Sequence, residues 1–151
     1  VLQNMGYVSG FREDWQATSR YSLEAVEVLE RLEYDPFADQ AEVAFKLFFV
    51  LLNLGEAERK LDHFERSLFF RQRALNIAKE RDNQVWMAYA LQEIGEMHHD
   101  ADNRKIAQEN YDKALHLYTL NNAESDIESL TSFMKSQNYR ILRSILEVQC
   151  S

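Results

Sequence analysis

Cysteine, proline and glycine are nearly missing from this chain. Its 151 residues hold one cysteine, one proline and four glycines. A single thiol, Cys150, cannot build a disulfide framework or a cysteine-rich metal site, so a reducing compartment, the cytoplasm, is expected. So few helix breakers leave room for long uninterrupted helices. An excess of positive charge is also lacking: 17 Lys and Arg stand against 25 Asp and Glu, for a net charge of −8. Binding to phosphate backbones needs clustered basic residues, so nucleic acid is not an expected partner. The one basic stretch, Arg66 to Arg81, is interleaved with Glu65 and Glu80 and reads as a solvated helix face. No apolar run approaches the ~18 residues of a membrane span. The richest, Val43 to Leu54, carries Lys46 and Asn53. No stretch has the pattern of a secretory leader, and no membrane partner is expected. What is present is an ordinary globular balance, 46% hydrophobic and 28% charged. The length fits one domain and buries a core without staples.

An internal repeat organises the chain. Gly6, Gly55 and Gly95 anchor three copies, the first two 49 residues apart and the last two 40 apart. Four residues before each glycine is a leucine (Leu2, Leu51, Leu91), and one before is an apolar residue (Met5, Leu54, Ile94). Twelve after is a small residue (Thr18, Ser67, Ala107), and nineteen after is an alanine (Ala25, Ala74, Ala114). One and three residues beyond the alanine come aliphatics: Val26 and Val28, Leu75 and Ile77, Leu115 and Leu117. Leucine, apolar residue and glycine fall on one face of a helix. The small residue and the alanine share a face of a second helix. Each copy therefore reads as a helical hairpin in which the glycine admits a neighbouring helix and the small residues are its sockets.

Polar turns separate the two helices at Gly10 to Asp14, Arg59 to His63 and Asp100 to Asn103. Asp14, Asp62 and Asp102 are the expected N-caps of the second helices. Asp39 with Glu42, and Ser125 with Glu128, have capping-box spacing, and Asp82 or Asn83 opens the helix through Trp86. The reading is seven helical segments: 1–9, 14–32, 40–57, 62–80, 83–99, 103–120 and 126 to about 149, the last with a candidate break at Ser136 to Asn138. The nine extra residues between copies one and two match Leu32 to Gln40, where Pro36 stops a helix.

The stretches "LQNMG…W…T…S..AV", "LLNLG…F…S…R..AL" and "LQEIG…R…A…Y..AL" resemble the tetratricopeptide repeat, over residues 1 to about 120. The 40-residue spacing is similar to the longer variety found in kinesin light chains, Leu-Gly-Asn adaptors and bacterial Rap- and PlcR-type receptors. The aromatic expected between the two small sites is Tyr111 in copy three but Ser22 and Arg71 in the others. The aromatic after the turn is Trp15 and Phe64, but Arg104 in copy three.

The resemblance implies an all-α superhelix of stacked antiparallel hairpins, a solenoid with a C-terminal capping helix. The implied division is repeat one about 1–32, an insertion 32–40, repeat two about 40–81, repeat three about 82–121 and a capping segment 125–150. The alignment places the start of the first helix upstream of Val1, as in a region cut from a longer protein. An apolar stripe of Ile127, Leu130, Met134, Ile141, Leu142, Ile145 and Leu146 is expected to cover the last hairpin.

First helices line the groove in which such repeats bind peptides. The column two before each glycine holds Asn4, Asn53 and Glu93; in the longer repeats an asparagine there bonds a peptide backbone, since its amide both donates and accepts. Other groove positions are Gln3, Tyr7 and Phe11, then Phe49, Leu52, Glu56, Arg59 and Lys60, then Tyr89, Gln92, Glu96, His99 and Asp100. The expected occupant is a protein or peptide segment bearing both charges, with no cofactor. The paired Lys and Asn set of a carboxylate clamp does not occur.

Two apolar features exceed what a hairpin needs. Ala44 to Leu52 is apolar nearly all round, implying burial on both sides. Leu68, Phe69 and Phe70 are sequential, so one of them lies outside the hairpin core, under the insertion, in a homodimer contact or half exposed. His98 and His99 point about 100° apart on a helix, so no metal site is expected of them. No nucleophile elbow, P-loop, dinucleotide fingerprint or HExxH occurs. A non-catalytic binding module is the leading expectation. The alternatives are a sensor or regulatory region of a bacterial signalling protein (a transcription regulator, histidine kinase or diguanylate cyclase) and a self-association scaffold, a homodimer through Leu68 to Phe70 or through the C-terminal helix.

Overall fold

A computed structural model describes residues 14–142. The expected helix 1–9, and with it Gln3, Asn4, Tyr7 and Phe11, lies outside the described residues, as do Ile145 and Leu146. Among the described residues all regular structure is helical: α1 (Trp15–Leu32), α2 (Gln40–Lys60), α3 (Phe64–Glu80), α4 (Gln84–Asp100), α5 (Arg104–Leu120) and α6 (Glu124–Ser136). No described helix is long and apolar enough to cross a membrane. The chain divides at Ile77/Ala78 into two compact units.

In the first unit, α1 starts where the Asp14 carboxylate accepts from the Ala17 amide at 3.0 Å. Its buried face is Thr18, Ser22, Ala25 and Leu29, at helical spacing. The link to α2 is tied by its own hydrogen bonds. Asp35 accepts from the Phe37 amide at 2.9 Å, and the Gln40 amide donates to the carbonyls of Leu32 and Asp35. This leaves Phe37 96% exposed. Asp39 then caps α2 by accepting from Ala41 and Glu42. Helix α2 is buried over most of its circumference, through Val43, Ala44, Leu47, Phe48, Val50, Leu51, Leu52 and Leu54, but Phe45 and Lys46 stay exposed.

Ser67 Oγ of α3 donates to the Gly55 carbonyl of α2 at 2.5 Å, and Ser67 and Ala74 are fully buried. The small residues thus are sockets. The glycine serves a further end. A Cβ at Gly55 would meet Arg71 Cγ at 2.7 Å, and one at Gly95 would meet Tyr111 Cε1 at 2.6 Å. Each glycine makes room for one large side chain from the facing helix. Of Leu68 to Phe70, Phe70 is buried and Phe69 is the residue outside the core, 58% exposed.

In the second unit, α4 and α5 run antiparallel: Gln84 meets Asn121, Gln92 meets Tyr118, and Gly95 faces Tyr111. Helix α6 packs Ile127, Leu130 and Met134 into a core with Ala107, Tyr111, Ala114, Leu115 and Tyr118. It ends at Ser136, at the candidate break of Ser136 to Asn138, and Tyr139 to Leu142 follow outside any helix.

The turns correct the expected caps. Asp62, Asp82, Asp102, Asn122 and Asn138 all take positive φ, between 49° and 60°. At Asp62 the amide donates to Arg59 O, and the next amide, of His63, donates to Glu58 O. The same pair of bonds recurs at Asp82, Asp102, Asn122 and Asn138. This is the Schellman closure, with Asp or Asn in the left-handed position usually held by glycine. Asp62 and Asp102 therefore end helices rather than cap them. Asn83 is the cap of α4, accepting from the Trp86 amide. Ser125 is no cap either. The closure at Asn122 leaves one linking residue, Ala123, so α6 begins at Glu124 and Ser125 lies in its first turn.

Candidate binding surfaces

In the first unit, Phe45, Phe49, Asn53, Glu56 and Lys60 follow one another at intervals of three or four and so share a strip of α2. The Phe45 and Phe49 rings lie 4.9 Å apart, and Phe49 meets the Phe48 edge at 5.0 Å. Asn53 is half-buried, and its amide makes no hydrogen bond to any described residue. Leu52, also expected in the groove, is buried beside the strip.

The strip ends in charge. Arg59 grips the Glu56 carboxylate with two bonds, 2.8 and 2.7 Å. Arg71, fully buried, donates to the same carboxylate at 2.8 Å, and Lys60 Nζ lies 4.0 Å away and 5.9 Å from the Trp15 ring centre. Burial pushes the Glu56 carboxyl up. The Arg59 hydrogen bonds and the charges of Arg59, Arg71 and Lys60 outweigh it and hold the group below its ordinary value. Arg71 had no role in the sequence reading beyond a missing aromatic. Its signal was its column, which Tyr111 fills in copy three.

A second knot joins the three helices of this unit. Glu58 of α2, 1% exposed, accepts from Ser19 Oγ of α1 at 2.5 Å, from His63 Nδ1 in the turn at 2.7 Å and from Arg66 of α3 at 3.0 Å. Burial raises the Glu58 carboxyl, but the bonds from Ser19 and His63 and the Arg66 charge carry it below the ordinary value. Serine and histidine both bond the carboxylate, so the serine is not aligned on the imidazole as an activated nucleophile would be.

In the second unit, the candidate residues of α4 are largely engaged by α5 and α6. Tyr89 Oη donates to Asp126 at 3.0 Å, and its ring stands edge-on to Tyr118 at 5.6 Å. Tyr118 Oη donates to Gln92 Oε1 at 3.0 Å. Burial raises the Tyr118 hydroxyl far above its ordinary value, and the charges of Asp126, Glu93 and Glu96 add to the effect. Tyr89 is raised likewise by burial and by its bond to Asp126. Glu93 thus acts on the Tyr118 hydroxyl, at the position where Asn53 offers a neutral amide.

His99 Nδ1 pairs with Tyr139 Oη at 2.8 Å, and its ring meets Phe133 edge-on at 5.5 Å. His98, half-buried, is held below its ordinary value by burial. Asp100 is exposed. Among the described residues, no group of three His, Cys, Asp or Glu is placed to hold a metal ion. No protein-family model matches the chain, and no curated protein matches it.

Proposed function

We propose that the chain is a tetratricopeptide-type helical repeat acting as a non-catalytic binding module for a protein or peptide segment in the cytoplasm, as the interaction part of a larger protein. The observation that carries this reading is the α2 strip. Phe45 and Phe49 offer an apolar platform, half of Phe45 being exposed, and the Asn53 amide beside them has no described partner. An amide that both donates and accepts suits a peptide backbone, and the aromatic platform supplies the apolar contact that anchors it. Selection from a displayed random-peptide library against the purified chain tests the reading. Enriched peptides should lose about tenfold or more in affinity, ~1.4 kcal/mol, on Asn53→Ala and on Phe49→Ala with unchanged helicity. Peptides indifferent to both substitutions would refute it.

Self-association is the second reading, favoured by Phe69 alone, which stands 58% exposed over the Arg73 guanidinium. Sedimentation showing the same monomer for the native chain and Phe69→Ser, up to high concentration, would remove it.

A further inference from the structure

Tyr139 to Leu142 lie outside any helix, yet they are held as a bound peptide would be. Tyr139 is only 7% exposed. Its ring packs edge-on against Tyr111 at 5.1 Å, its hydroxyl pairs with His99, and the Arg104 guanidinium lies 4.3 Å from its ring centre. The next residue is read through its backbone. The Gln108 side-chain amide accepts from the Arg140 N–H at 2.9 Å and donates to the Arg140 carbonyl at 2.7 Å. Asp112 also accepts from the Gln108 amide nitrogen, at 2.8 Å, which fixes the orientation of that amide. Leu142, beyond Arg140, is 39% exposed.

A side-chain amide paired with both backbone groups of one residue recognises an extended chain whatever its sequence, and the aromatic socket supplies the selectivity. The backbone bonds are exposed to solvent, so water can replace them, and Tyr139 is the one deep anchor. From this geometry we infer that the face formed by His99, Arg104, Gln108, Tyr111, Asp112 and Phe133 is a recognition site for an extended segment carrying a tyrosine, and that Tyr139–Leu142 fill it in cis, in competition with such a segment on a partner protein. The site uses no residue of the α2 strip, so loss of binding at Asn53 leaves it standing.

The test is peptide complementation on the full chain. The probe is a capped synthetic peptide of sequence QNYRIL, residues 137–142, followed by fluorescence anisotropy. Tyr139→Ala should open the socket and bind the peptide. The native chain should bind it about tenfold or more weakly, because the cis segment competes at a high effective concentration. Changing the tyrosine of the peptide to alanine should abolish binding, and adding Gln108→Ala to the variant should weaken it. A folded Tyr139→Ala chain that ignores the peptide, or a native chain that binds it equally well, overturns the inference. If Tyr139→Ala does not fold, a chain with two glycines inserted after Asn138 keeps every socket residue and weakens only the capture in cis. It should bind the peptide more tightly than the native chain, and failure to do so is equally decisive.

Discussion

Arg71 lies across Gly55 so closely that a Cβ there would come within 2.7 Å of its Cγ, and Tyr111 lies across Gly95 in the same way. One column thus receives an arginine in one unit and a tyrosine in the other, each 0% exposed. The two glycines should differ in tolerance. Alanine gains ~1 kcal/mol of helix propensity over glycine, whereas overpacking a filled site costs ~1–3 kcal/mol. Gly95→Ala forces a methyl into a buried ring and should be the more destabilising in urea unfolding. Gly55→Ala meets a jointed side chain and should cost less. A stability gain from both would show that the close approach is not constraining.

The carboxylate of Glu56 balances buried charge. Arg71 is fully buried and bonded to it, and breaking such a pair from one side costs ~3–5 kcal/mol. Glu56→Ala should approach that loss, partly relieved by the partial exposure of Glu56. Adding Arg71→Met, which keeps the volume and removes the charge, should recover part of it. Equal or greater instability of the double variant in thermal melts would contradict the coupling.

The pH dependence has a definite sign. Glu56 and Glu58 sit below the ordinary 4.5 in the folded chain. Their contribution is complete above that value and is lost as pH falls through the lower folded values. His98 sits below 6.5, so its contribution is complete above 6.5 and declines on acidification from there. Asp112 is raised and works in the opposite sense, its contribution being lost as pH rises through its folded value. Chemical denaturation between pH 7 and 3 should show stability beginning to fall below about 6.5 and falling more steeply below 4.5. His98→Gln should remove the first decline and leave the second. An unchanged first decline would mean that His98 is not its source.

The left-handed turn positions carry strain that glycine does not. Asp82→Gly and Asp102→Gly should each change stability by no more than ~1 kcal/mol and in the stabilising direction, whereas Asp102→Val should lose ~1–2 kcal/mol. Helical content by circular dichroism should be unaltered in the glycine variants. Clear destabilisation by glycine would assign the aspartate carboxylates a role beyond the turn.

The helices were legible because burial imposes periodicity. Thr18, Ser22, Ala25 and Leu29 recur at helical spacing and are buried. The turns were misread at Asp62 and Asp102 because the same residue types favour both an N-cap and a left-handed closure. The discriminating sign was the interval: Asp62, Asp82, Asp102 and Asn122 stand 20 residues apart, a shorter period than the glycine spacing. Asn53 and Phe49 could be placed on one face from spacing alone. Glu58 with Ser19, and Gln108 with Arg140, pair residues 39 and 32 positions apart with no periodic trace. Contacts of that kind appear only once the helices are packed.

The 20-residue interval also governs how such a chain can change length. In the second unit α4 runs against α5 and α5 against α6, each reversal made by one closure, at Asp102 and at Asn122. Excising a single interval would turn every later helix end for end and bring the wrong face inward. Excising two would restore both direction and facing. Growth or shrinkage of this architecture is therefore a matter of parity, and the helix pair is its smallest inheritable step.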